Sequence, residues 1–65
     1  MNLDTFTAEI LFIIFGSVPS YSVLLDAERD AIALAYRRGL TAKDAAGAIL
    51  ILMGYPNRAK RYLAA

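Results

Sequence analysis

The chain is 65 residues long, 58% hydrophobic, and carries no cysteine and no histidine. At this length one domain is the ceiling, disulfides are excluded, and a structural zinc site has no ligands of the usual kind. Seven basic and six acidic residues leave a net charge of +1, too little to drive nonspecific nucleic-acid binding. A chain this short buries only about 60% of the surface its unfolded form exposes. The remaining common route to stability is a second chain, so the composition predicts a homodimer.

The first nine residues hold Asp4 and Glu9 and no Lys or Arg, the reverse of a secretory signal. Asp4, Thr5 and Thr7 are candidate N-caps for a first element. The run Ile10 to Phe15 is rich in β-branched and aromatic residues, so a short buried strand over 10–15 competes with a helix. The caps and the helical sequence downstream favour the helix. Six apolar residues flanked by Glu9, Gly16, Ser17 and Pro19 fall short of the roughly 20 that a membrane span needs. Gly16 to Ser20 breaks whatever precedes it.

From Ser22 to Arg38 the spacing predicts an amphipathic helix. Leu24, Leu25, Glu28, Ala31, Ile32, Ala35 and Tyr36 recur at intervals of three and four, with Asp26, Asp30, Ala33 and Arg37 opposite. Gly39 fits a left-handed C-terminal residue. Thr41-Ala42-Lys43-Asp44 has capping-box spacing and opens a third helix. Ile49, Leu50, Ile51, Leu52 and Met53 then place apolar groups nearly all round it. In so short a chain this most simply means packing against a dimer mate, through Ile49, Leu50, Leu52 and Met53. Ala45, Ala46, Gly47 and Ala48 permit close backbone approach there, or serve as helix-forming filler. Gly54-Tyr55-Pro56-Asn57 stops this helix, and Asn57 can cap a short last one over Arg58 to Leu63. The fold class is thus all-α, three to four helices, as an intertwined homodimer.

Charge is divided along the chain. Residues 1–30 carry Asp4, Glu9, Asp26, Glu28 and Asp30 against Arg29, a balance of −4; residues 31–65 carry Arg37, Arg38, Lys43, Arg58, Lys60 and Arg61 against Asp44, a balance of +5. Complementary halves within a dimer is one reading; a basic end that meets an acidic protein or a phosphate is the other. For catalysis there is no His, no Cys, no Gly-rich phosphate loop and no nucleophile elbow, so neither an enzyme nor a cofactor, metal or small-molecule substrate is expected.

Two binding readings remain. At the edge of the second helix Arg29, Ile32 and Tyr36 come together, extended by Arg37 and Arg38. Tyr and Arg are enriched in interface hot spots, which makes these five residues a candidate partner-binding site. The competing assignment is that Tyr36 closes the core with its hydroxyl at the rim. The alternative function is DNA binding: Gly39 to Ala46 resembles the first helix of a helix-turn-helix, with Asn57 to Tyr62 as a basic recognition helix. Leu50 stands where that motif's turn glycine belongs, and Gly54 arrives one helical turn late.

Three stretches, Phe-Thr-Ala-Glu-Ile from Phe6, Asp26 to Leu40, and Met53 to Leu63, together make the chain resemble small phage-encoded host-takeover proteins, in particular the quorum-sensing anti-activators of temperate phages. The resemblance implies a compact helical homodimer in the host cytoplasm, a compartment that suits a chain without cysteine. It further implies binding to a host LuxR-type transcription activator, whose DNA binding it blocks, and a second target in the type IV pilus assembly ATPase.

Overall fold

The computed structural model describes residues 1–63 and is all-α. Four α-helices follow one another: α1 Leu3–Phe15, α2 Asp26–Arg37, α3 Ala42–Leu52 and α4 Pro56–Leu63, with one turn of 3-10 helix at Tyr21–Val23 before α2. Among the described residues there is no strand, so residues 10–15 belong to α1. No described helix is long and apolar enough to cross a membrane.

The cap of α1 lies upstream of Asp4, Thr5 and Thr7. Asn2 Oδ1 accepts the Thr5 N–H at 2.8 Å, which lets Leu3 enter the helix. Thr7 is interior and donates its hydroxyl to the Leu3 carbonyl at 2.8 Å, the usual self-satisfaction of a threonine within a helix. The helix then buries Phe6, Ile10, Leu11 and Ile14 along one face. Burial of that stripe outweighs the weak strand preference of the run.

α2 starts at Asp26, four residues later than the periodicity suggests, because Ser20 to Leu25 form the 3-10 turn and an extended link. Tyr21 donates its hydroxyl to the Asp4 carbonyl at 2.9 Å and fastens this link to the first turn of α1. Glu28, buried on the apolar face, explains the entry to α2. Its Oε1 accepts the Leu25 N–H at 2.8 Å, the reach-back half of a capping box with no side-chain cap in return. Glu28→Ala is therefore expected to cost about 1–2 kcal/mol in urea unfolding. Glu28→Gln, which keeps an acceptor oxygen, should lose less than half of that.

The ends of α2 and α3 share one device. Gly39 and Gly54 have φ of 75° and 90°, and each is followed by a residue that reaches back five positions: Leu40 N–H to the Ala35 carbonyl at 3.1 Å, Tyr55 N–H to the Leu50 carbonyl at 2.8 Å. Thr41 Oγ1 accepts the Asp44 N–H at 3.1 Å and caps α3. α4 begins at Pro56, whose missing N–H costs nothing at that position, so Asn57 lies inside the first turn and is not its cap.

α3 packs against all three other helices. Ala45, Ala46, Ile49 and Leu50 meet Ile32 and Ala35 of α2, the α1 stripe, Leu24 and Ala59 in a single core. At Gly47 the Leu63 side chain of α4 packs into the space a side chain would take: a Cβ there would lie 2.5 Å from Leu63 Cγ. The missing side chain at Gly47 is thus used within the chain. The accessible surface of 4217 Å² is what a folded monomer of this mass exposes, about 4,100 Å². The amount of surface is ordinary.

Candidate protein-binding surfaces

The five residues at the edge of α2 do not form one exposed patch. Ile32 is 1% exposed and belongs to the core, so it has no surface to offer a partner. Tyr36 is half-buried: its ring packs on Phe6 with centroids 5.4 Å apart, and its hydroxyl donates to the Met1 carbonyl at 2.7 Å. Tyr36 therefore holds the start of α1 onto α2, and only its rim faces solvent. The Arg29 guanidinium pairs with Asp26 one turn before it. Arg37 and Arg38 are exposed, and among the described residues their side chains make no hydrogen bond or ion pair. What remains of the expected site is an arginine pair beside a tyrosine edge.

The four residues expected at a dimer interface divide in the same way. Ile49 and Leu50, 1% and 0% exposed, are enclosed by the chain's own core and cannot be contact residues of this folded chain. Met53 is half-buried, and Leu52 is 55% exposed. With 100° per residue, Asp44, Ala48, Ile51 and Leu52 share the outer arc of α3, all exposed. A dimer built on α3 would use Ala48, Ile51 and Leu52.

A further apolar surface lies on α1, outside the residues expected to bind a partner. Phe12 is 60% exposed and Phe15 47%. Thr5, Ala8, Glu9, Phe12 and Ile13 line an open groove of about 390 Å³ together with Val18 from the loop after α1. The signal was in the sequence. Six consecutive large apolar residues span more than one helix face, so a single core could not cover them all. A smaller cleft of about 140 Å³ lies between Leu3, Asp4, Thr7, Tyr21, Arg29 and Ile32.

The basic end is partly committed. Arg58 Nη2 donates to the Ile14 carbonyl at 2.7 Å, and its guanidinium lies 5.7 Å from the centre of the Tyr55 ring. Asn57, Lys60 and Arg61 share the exposed face of α4. Among the described residues no three acidic side chains cluster in a way that could hold a metal ion. Comparison with protein-family models, with curated proteins and with solved structures found no match to this chain.

Proposed function

We propose that this chain acts by binding another protein, as a stoichiometric inhibitor without catalytic chemistry of its own. The observation that carries the reading is the exposure of Phe12, Phe15, Val18, Ile51, Leu52 and Tyr55, six large apolar side chains on a chain of ordinary total surface. Of these, Phe12 and Val18 line one groove, and contiguous exposed apolar surface of that kind marks interaction sites. The resemblance supplies the target class: a host LuxR-type transcription activator prevented from binding DNA, with the type IV pilus assembly ATPase as a second target. A homodimer joined through Ala48, Ile51 and Leu52 belongs to the same proposal.

A mobility-shift assay tests it. A purified LuxR-type activator on its operator fragment should lose the shifted band as the chain is added, with an end point at a fixed molar ratio. The chain alone should leave the fragment unshifted at physiological salt. One observation favours a second reading, a small DNA-binding regulator: Asn57, Lys60 and Arg61 face solvent together on a helix joined to α3 by three residues. That reading wins if the chain itself shifts DNA, with affinity falling steeply in salt and on Lys60→Ala or Arg61→Ala.

A further inference from the structure

We propose that the groove along the outer face of α1 receives a basic amphipathic helix of the partner, an inference that rests on the protein-binding function above and gives that partner its chemistry. With 100° per residue, Ala8, Phe12 and Phe15 fall in one arc of α1. Asp4 borders that arc on one side, and Thr5 and Glu9 border it on the other. Phe12, Phe15, Asp4 and Glu9 are all exposed. The face is thus an apolar strip with a carboxylate at each margin.

α1 itself carries no Lys or Arg to balance those carboxylates, although Asp4 shares the small cleft with Arg29. The first cation of the side chains is Arg29, which is paired with Asp26, and the last turn of α1 contains no base. Arg58 reaches α1 only at the Ile14 carbonyl, where its charge is matched by the negative end of the helix dipole.

The occupant follows by chemistry. A small molecule is poorly served, because the groove is wide open and apolar and has no buried polar group to orient a ligand. An anionic membrane surface would be repelled by Asp4 and Glu9, and α1 carries no Lys or Arg to meet head groups. Nucleic acid is disfavoured by the same two charges. A second copy that docked through this same strip would bring its carboxylates against their own image, and one that docked through its basic half is the dimer outcome of the test below. A helix with apolar residues at i, i+3 or i+4, and i+7 can set one side chain over Ala8 between Phe12 and Val18. Lysines or arginines on its flanks then meet Asp4 and Glu9.

Fluorescence anisotropy with a labelled amphipathic helix of leucine and lysine, and with its leucine–glutamate counterpart, tests the assignment on the full chain. The lysine helix should bind and the glutamate helix should not. Phe12→Ala, at an exposed helical position where alanine preserves the fold, should weaken the lysine helix by about tenfold or more. Glu9→Lys should weaken it by roughly three- to fivefold and improve the glutamate helix. Equal binding of both helices, or a lysine helix indifferent to Phe12→Ala, overturns the proposal. So does a chain that sediments as a dimer and becomes monomeric on Phe12→Ala, since a second copy would then occupy the groove. The two proposals fail separately. A lysine helix that binds when no activator does leaves the groove standing without the inhibitor; an activator complex untouched by Phe12→Ala leaves the inhibitor without the groove.

Discussion

Leu50→Ala is expected to lower the free energy of unfolding by about 3 kcal/mol, within the 2–5 kcal/mol that truncating a fully buried leucine costs. A 65-residue domain has roughly 3–10 kcal/mol in total, so the variant should be near or past its folding threshold. The size of the effect follows from position. Leu50 is inaccessible in the middle of the core, on a helix that packs against all three others, and its carbonyl accepts the Tyr55 N–H that closes α3. The same experiment separates core from interface. A residue lost from the core destabilises the chain equally at every protein concentration, whereas the cost of losing a dimer contact depends on concentration and vanishes where the wild type is itself monomeric. Urea melts of Leu50→Ala and Leu52→Ala at two concentrations are sufficient. Leu52→Ala should leave the stability of the single chain within about 0.5 kcal/mol, because Leu52 is mostly exposed. A Leu50→Ala chain that melts like wild type when dilute would return Leu50 to an interface.

The helix boundaries set by glycine were legible in the sequence, and those set by side-chain caps were less so. Gly39 and Gly54 stop their helices where local reading puts them, since a left-handed residue there is a backbone requirement that few other residues meet. At the start of α1, Asn2, Asp4, Thr5 and Thr7 all offer cap oxygens, and local sequence alone does not rank them. Asn2 is the cap, its Oδ1 accepting the Thr5 N–H, so that the helix begins ahead of the Phe6–Ile10–Ile14 stripe. The entry to α2 carried a readable sign, Glu28, whose place on an apolar face has a reason once its bond to the Leu25 N–H is seen. The candidate sites were harder. An apolar residue on an all-round apolar helix can be covered by its own chain or by another, and periodicity does not distinguish the two. Hence periodicity groups Ile49 and Leu50 with Leu52, although of the three only Leu52 is on the outside of the folded chain. Tyr36 has the same ambiguity for the opposite reason: its partners, Phe6 and the Met1 carbonyl, lie about thirty residues away in sequence.

Arg58→Ala should destabilise the chain by about 1.5 kcal/mol, and lower its melting temperature by roughly 6–12 °C. The last carbonyls of α1 have no intrahelical partner, and the last turn of α1 supplies no base to meet them. Arg58 does so from 44 residues away, joining the first turn of α4 to the end of α1 by a charge-assisted, partly buried bond. Its position near the Tyr55 ring adds about 0.5 kcal/mol. Arg58→Lys should restore less than half of the loss, because an ammonium lacks the planar fork that bonds the carbonyl while lying beside the ring. Lys60→Ala and Arg61→Ala, at exposed positions on the same helix, should stay within about 0.5 kcal/mol of wild type. This contrast decides how the basic end is to be interrogated. Any DNA affinity lost with Arg58 would reflect a loosened joint between α1 and α4, so only Lys60 and Arg61 report on a nucleic-acid surface. An Arg58→Ala chain with an unchanged melting temperature would mean that the guanidinium is not held at Ile14. Three bases would then face outward from α4, and the DNA-binding reading would gain the residue that this fold takes from it.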